Sequence, residues 1–163
     1  MEEEKIGYKI YRKTGYKMYS LVLRHLDGQN KGVQTTHGVC EYVRKHWDDE
    51  DLQQWLNTDK TLVMLSGGTV SDMSTIMEVF KEHGIKFETF EEEDLGNLTT
   101  SICVLADERV WDRENYPTFD IYKLKRAGEG VTDEEILEKE FISFVGGIEN
   151  AVKKEVLNGL RLA

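Results

Sequence analysis

Cysteine and proline are almost absent from this sequence. The two cysteines, Cys40 and Cys103, are too few for a disulfide-stapled fold, and both stand in apolar surroundings. We therefore expect both thiols to be reduced and buried, as in a cytosolic protein. No pair of cysteines or histidines has the spacing of metal ligands, so we predict no metal site. The single proline, Pro117, lies in a stretch (107–130) that we predict to be irregular.

Long apolar runs and a secretory leader pattern are also missing. The longest apolar stretches, such as residues 102–106, are far shorter than a bilayer-spanning segment. The sequence begins Met-Glu-Glu-Glu-Lys, without the apolar region of a secretory signal. We therefore expect no membrane partner and a cytoplasmic location, which would be the host cytoplasm if the source is viral.

Basic residues are outnumbered by acidic ones, 21 to 31, which gives a formal net charge of −10. This balance argues against a protein that coats nucleic acid by bulk attraction. Residues 5–24 are an exception, because they contain six basic residues, four tyrosines and no acid. Such a segment could contact RNA phosphates and stack on bases, or it could be a solvated edge strand. Its members are Lys5, Lys9, Arg12, Lys13, Lys17, Arg24, Tyr8, Tyr11, Tyr16 and Tyr19.

Hydrophobic periodicity predicts strands alternating with helices. The predicted strands cover residues 17–24, 61–65, 85–90 and 99–106. The predicted helices cover residues 31–47, 48–56, 71–82, 133–144 and 148–157. This order predicts an α/β fold with a four-stranded mixed sheet flanked by helices on both faces, in one domain spanning 1–163. In the first helix, the apolar stripe expected to face the core is Val33, Thr36, Cys40, Val43 and Trp47.

A first polar group follows the first strand. Asn30 is the predicted helix cap, and Lys31, Gln34 and His37 recur at three-residue spacing on one face of the helix. A lysine in a first helical turn opposes the helix dipole, which suggests that it serves a phosphate or a developing oxyanion. The alternative is a solvated lysine, a capping glutamine and a core-edge histidine.

A second polar group lies at the entrance to the fourth strand. Four acids end at Asp94, and Thr99 and Ser101 lie two residues apart, so their hydroxyls should share a face of the strand. A carboxylate with two hydroxyls near a lysine could orient and deprotonate a water molecule, although a solvated acidic loop is the alternative. The glycine turn at residues 66–69 lacks phosphate-loop spacing, which argues against a nucleotide triphosphatase.

These two polar groups together resemble the type II peptidyl-tRNA hydrolases. The resemblance rests on residues 31–37 (Lys-Gly-Val-Gln-Thr-Thr-His) and 94–101 (Asp-Leu-Gly-Asn-Leu-Thr-Thr-Ser). The resemblance covers about residues 17–106, with 107–163 as a C-terminal helical extension. It looks closer still to the peptidyl-tRNA hydrolase-like proteins of large T4-type bacteriophages. The family's usual lysine falls on Asn30, one position before Lys31, and the loop after Asp94 is shorter than in the cellular enzymes.

The resemblance implies metal-independent hydrolysis of the ester of peptidyl-tRNA, without an organic cofactor. The implied catalytic residues are Lys31, Asp94, Thr99 and Ser101. The implied substrate-binding residues are Asn30, Gln34, His37 and Lys17. The expected partner is tRNA, with the basic N-terminal segment on its acceptor stem, and a homodimer is left open. The alternatives are a catalytically silent module that holds tRNA or a host protein, and an acidic mimic of nucleic acid.

Overall fold

Strand-forming and amphipathic segments alternate along the computed structural model, which describes residues 15–163. Its strands are β1 (Lys17–Leu23), β2 (Leu62–Gly68), β3 (Glu88–Glu92) and β4 (Leu98–Ala106). Its first three helices are α1 (Gly28–Lys45), α2 (Glu50–Asn57) and α3 (Val70–Glu82). Its last four are α4 (Glu108–Trp111), α5 (Phe119–Gly128), α6 (Glu134–Phe144) and α7 (Ile148–Asn158), and a 3₁₀ turn (Glu93–Leu95) joins β3 to β4.

The strands form one mixed sheet in the order β2-β1-β4-β3. The β1–β2 pair is parallel, whereas β4 runs antiparallel to both β1 and β3. The outer edge of β2 is covered by the end of the chain, since Ser66 N–H donates to the Arg161 carbonyl (2.8 Å) and Ala163 N–H donates to the Met64 carbonyl (3.1 Å). The predicted α/β fold with a four-stranded mixed sheet is confirmed.

Each face of the sheet has its own apolar core. On one face, α1 and α2 bury Tyr42, Leu52 and Trp55 against strand residues that include Met18 and Leu105. On the other face, the core contains residues of α3, α4 and α7; it includes Met73, Phe80, Val110, Val152 and Leu157. The C-terminal segment therefore packs into the core of the sheet. No helix within residues 15–163 is long and apolar enough to cross a membrane.

Residues 107–130, predicted to be irregular, contain α4 and α5. The α5 helix is stabilised by contacts that are distant in sequence: Phe119 and Tyr122 pack on Phe141 with ring centroids 5.0 and 5.5 Å apart, and Arg126 donates to Glu140. The predicted cap of α6 also differs. Asp133, one residue after Thr132, caps α6 by accepting from the N–H of Ile136 (3.1 Å).

The buried face of α1 is not the predicted apolar stripe. Val33, Thr36, Cys40 and Trp47 are exposed, whereas Gln34, Thr35, Gly38 and Tyr42 are buried. The reason is that the sheet surface beneath the first turns of α1 is itself polar, being formed by Ser20, Thr100 and Ser101. Cys40 is consequently exposed, contrary to expectation, and Cys103 is buried as expected.

The closest approach of α1 to the sheet occurs at Gly38. A Cβ atom there would lie 2.5 Å from Ser101 Oγ and 2.8 Å from Cys103 Sγ. We expect Gly38→Ala to lower the free energy of unfolding by about 1–3 kcal/mol, because this contact has no room for a methyl group. The measurement is urea denaturation of the two proteins.

Gly32 provides the matched control in the same helix. A Cβ atom at Gly32 would meet no atom of the described chain within 4 Å. Gly32→Ala should therefore raise the stability by about 0.5–1 kcal/mol through helix propensity alone. Equal effects of the two substitutions would mean that α1 does not approach β4 as described.

Candidate active site

The side-chain amide of Gln34 joins α1 to the ends of two strands. Its Oε1 accepts a hydrogen bond from the hydroxyl of Thr100 (2.7 Å), and its Nε2 donates to Glu92 Oε2 (2.9 Å). The backbone carbonyl of Gln34 accepts from the hydroxyl of Ser101 (2.9 Å). The second turn of α1, the end of β3 and the entrance to β4 therefore meet at one place, as the two polar groups of the sequence require.

A β-bulge creates this arrangement. Phe90 pairs with Ser101 and Glu91 pairs with Thr99, so Thr100 has no opposite residue on β3. The extra residue interrupts the alternation of side chains along β4. Thr100 and Ser101 consequently both contact Gln34, although they are adjacent in sequence. The alternation that we used to place Thr99 and Ser101 on one face does not hold here.

The residues that meet at Gln34 form a buried layer and a partly exposed layer. Gln34 is 6% exposed, and Thr100 and Ser101 are fully buried, so neither hydroxyl can reach a solvent water directly. Glu92 is partly exposed above them and keeps Oε1 without a hydrogen bond within the described residues. The buried layer therefore holds α1 and β4 together, and it presents a carboxylate to solvent.

Asn30 and Lys31 lie further into α1 than the sequence predicts. The helix begins at Gly28 and is capped by Asp27, which accepts from the N–H of Asn30 (2.8 Å) and from its side-chain amide (3.1 Å). Asn30 is thus not the cap, and its amide is already used. Lys31 lies one turn before Gln34, and its ammonium makes no hydrogen bond or ion pair with any described residue.

His37 follows Gln34 by one helical turn. Its ring packs against Phe90, with the centroids 4.5 Å apart. Its Nδ1 atom is buried and has no hydrogen-bond partner in the part of the chain that the structure describes. The contact with Phe90 ties α1 to β3 beside the Gln34 bridge, by which we mean the hydrogen bonds of the Gln34 side chain to Thr100 and Glu92.

Asp94 lies in the 3₁₀ turn, two residues after Glu92. Its side chain is exposed, and its carboxylate has no hydrogen bond or ion pair with residues 15–163. The turn ends at Gly96, which has a φ of 70°, and Asn97 follows with a φ of 59°. Asp94 is therefore near the Gln34 bridge along the chain, whereas Glu92 is the acid in contact with it.

Glu92 was not among the predicted site residues. The sequence shows it only as the second of four consecutive acids. Its contact with Gln34 depends on where β3 ends and on the bulge in β4, and neither is visible in the residue pattern. The one available signal was its place in the acidic run that follows the predicted third strand.

Lys17 lies at the other end of the sheet. It pairs with Ala106, whereas Val22, beside the Gln34 bridge, pairs with Ser101. Five strand residues separate the two positions, which corresponds to about 16 Å. The Lys17 ammonium lies 3.8 Å from the ring centroid of Trp111. The structure therefore does not bring Lys17 together with Lys31 and Gln34.

The basic, tyrosine-rich segment is described only in part, since residues 5–14 lie outside the described residues. Within the described part, Tyr19 belongs to the core and is 9% exposed. Tyr16 is partly buried, and this burial raises the pKa of its hydroxyl above the ordinary value. Tyr19 is thus unavailable for stacking on bases.

The described residues near the site supply neither a reactive thiol nor a metal-binding group. Burial raises the pKa of the Cys103 thiol to about 12, so it stays protonated and is a poor nucleophile. Among residues 15–163, no group of three or more histidine, cysteine, aspartate or glutamate side chains is arranged to hold a metal ion. The arrangement offers a carboxylate and a lysine ammonium, which suit proton transfer and the stabilisation of negative charge.

No protein-family model matches this sequence, and a search of curated proteins finds no matching relative.

The hydrogen bonds of Gln34 lead to a charge-exchange prediction. Gln34→Glu replaces the donor that faces Glu92 with an acidic oxygen, and we expect it to lower the free energy of unfolding by about 1–3 kcal/mol at pH 7. Two neighbouring carboxylates raise the pKa of one of them above its unfolded value. The loss of stability in Gln34→Glu should therefore become smaller as the pH falls towards 4. Urea denaturation at several pH values measures this.

The double variant Gln34→Glu/Glu92→Gln is the matched control. It exchanges the two groups across the same contact, so it should recover most of the stability at pH 7. If Gln34→Glu is as stable as the wild type, or if Glu92→Gln gives no recovery, the contact between these residues does not stabilise the fold.

Proposed function

We propose that this chain hydrolyses the ester bond that joins a peptide to its tRNA. The observation that carries the proposal is the Gln34 bridge, which holds the Glu92 carboxylate at the junction of α1 and β4. The two sequence segments that resemble type II peptidyl-tRNA hydrolases contribute Gln34 and Thr100 to this junction. The ammonium of Lys31, which has no partner among residues 15–163, lies one helical turn away.

Glu92 is our candidate for the general base. Gln34 binds its Oε2, so its Oε1 is left to accept a proton from a water molecule. The water oxygen then attacks the ester carbonyl carbon and forms a tetrahedral oxyanion. Collapse of this intermediate breaks the bond to the ribose oxygen, and that oxygen takes the proton back from Glu92. The products are a peptide with a free carboxylate and a tRNA with a free terminal hydroxyl.

Lys31 is our candidate for charge stabilisation. Its ammonium is not neutralised by any acid among residues 15–163, so it is available for an oxyanion or for the terminal phosphate of tRNA. Gln34, Thr100 and Ser101 act as positioning residues, because they are buried and hold Glu92 and α1 in place. Thr99 is partly exposed at the strand entrance and could accept a hydrogen bond from the water.

Asp94 is the rival for the role of base. It is exposed two residues beyond Glu92, and it is the acid that the family resemblance selects. Since no contact with residues 15–163 fixes the Asp94 carboxylate, Glu92 has the better geometric support. Substituting each acid separately distinguishes the two.

The hydrolysis test uses N-acetylated aminoacyl-tRNA and follows the release of free tRNA in a single turnover. We expect release above the buffer rate for the wild type. Glu92→Gln should slow it by about 100-fold or more, because the proton acceptor is lost. Asp94→Asn should stay within about threefold of the wild type, because an exposed charge contributes little.

Glu91→Gln is the matched control, since it removes the same charge one residue away on the same strand. It should leave the rate unchanged. Absence of release by the wild type would overturn the proposal. If Glu92→Gln releases tRNA at the wild-type rate and Asp94→Asn releases it slowly, the general base is Asp94 instead.

Affinity for tRNA should depend steeply on salt, because phosphate contacts dominate such binding. Lys17 lies too far from Gln34 to act on the ester, but a tRNA acceptor stem could span the distance. We expect Lys17→Met to lower the slope of log Kd against log salt by about one and to leave kcat unchanged. Lys31→Met should lower both the slope and kcat. Lys81→Met, an exposed lysine on α3, is the control and should change neither.

A catalytically silent module is the second candidate, and it is favoured because no described residue holds the Asp94 carboxylate in place. Its signature is salt-dependent binding of tRNA by the wild type without release of product. If the wild type shows no affinity for tRNA at all, both candidates fail, and the acidic surface becomes the feature to explain.

A further inference from the structure

A cavity of about 400 Å³ lies among α5, α6 and α7. It is distant from the Gln34 bridge, because α7 packs on the face of the sheet opposite to α1. Its volume falls in the range of small-molecule sites, about 300–1,000 Å³. The apolar part of its wall is formed by Phe119, Phe141, Ile142, Ile148, Ala151 and Val152.

Lys154 brings a buried positive charge to the wall of this cavity. Its side chain is 1% exposed, and its ammonium donates to the carbonyls of Val110 (2.9 Å) and Arg109 (3.2 Å). An ammonium has three donors, so one remains without a partner in residues 15–163. No carboxylate among those residues forms an ion pair with it, and a buried unpaired charge is costly.

Asn158 adds a second unused donor one helical turn further along α7. Its Oδ1 accepts a hydrogen bond from Arg113 Nε (2.8 Å), which fixes the orientation of the amide. Its Nδ2 is buried and has no partner within the described chain. Residues four apart on a helix are neighbours, so Lys154 and Asn158 lie side by side on the wall of the cavity.

The start of α5 supplies further donors to the same cavity. Thr118, Phe119 and Asp120 line it, and Thr118 caps the helix without a side-chain hydrogen bond to the first turn. The first N–H groups of a helix lack intrahelical partners, and they carry the positive end of its dipole. Two elements, α7 and the start of α5, thus bring hydrogen-bond donors to the cavity.

We propose that this cavity binds a small apolar carboxylic acid, with its carboxylate at Lys154 and Asn158 and its apolar chain among the aromatic and aliphatic walls. The carboxylate compensates the buried ammonium and satisfies the unused amide donor. Burial, assisted by Arg113, lowers the pKa of Lys154 to about 8, so the group is still mostly protonated at pH 7. The acids that line the cavity, Asp120, Glu138 and Glu155, are exposed, and solvent therefore weakens their repulsion.

The test compares three probes that share one alkyl chain: octanoate, octanamide and octylamine. Each is titrated into the ¹⁵N-labelled full chain at pH 7, and amide chemical shifts are followed. Octanoate should bind at least about tenfold more tightly than the other two, because a hydrogen bond between charged groups is stronger than one between neutral groups. The shifts should be largest at Phe119, Asp120 and the side-chain amide of Asn158.

Two variants separate the charge from the amide donor. Asn158→Asp keeps an acceptor for Arg113 but replaces the donor with a negative oxygen. It should weaken the binding of octanoate by about tenfold or more, and it should change the affinity for octanamide by less than about threefold. Lys154→Met keeps the length of the side chain and should have a similar effect. Lys153→Met is the control, because Lys153 donates to the Leu105 carbonyl and does not line the cavity.

Three results would overturn the proposal. The first is the absence of saturable shifts at the cavity residues with octanoate. The second is tighter binding of octylamine than of octanoate, which would mean that the acids that line the cavity dominate. The third is an equal loss of octanoate affinity in the Lys153 and Lys154 variants. If Lys154→Met does not fold, the comparison of Asn158→Asp with Lys153→Met decides the question.

Discussion

The hydrogen bonds of one buried amide set the position of α1 on the sheet. Gln34 has a donor and an acceptor, and it meets a carboxylate and a hydroxyl that fit them. A rotation of α1 about its axis would leave these buried groups unsatisfied, at a cost of about 1–3 kcal/mol each. The bulge in β4 makes this arrangement possible, and the partly exposed position of Glu92 and the place of Lys31 depend on it.

Much of the fold was predictable because local and global signals agree. The apolar stretch of β2, the glycine turn and the spacing of Met73 and Phe80 predict a strand followed by a helix at 71–82, and α3 spans Val70–Glu82. β4 was predicted within one residue, because its long apolar run suits a central strand buried on both faces. For such elements, the burial of apolar side chains is the dominant contribution to stability.

The candidate site was less predictable because it departs from that rule. Periodicity assigned the apolar side of α1 to the core, but the first turns of this helix pack on hydroxyl groups, and Val33 and Cys40 face outwards. Glu92 and Thr100 became visible only with the register of β3 and β4. The α5 helix was missed because its stability comes from rings on α6, which no local pattern encodes.

The chain terminus on the outer edge of β2 has a consequence for how this protein can associate. Leu162 pairs with Leu65, so the Ser66 N–H and the Met64 carbonyl of that edge strand are already occupied. The opposite edge, β3, carries Glu88, Glu91 and Glu92 in five residues, and like charges disfavour the addition of another strand. Both borders of the sheet therefore carry features that disfavour the addition of a strand from another molecule.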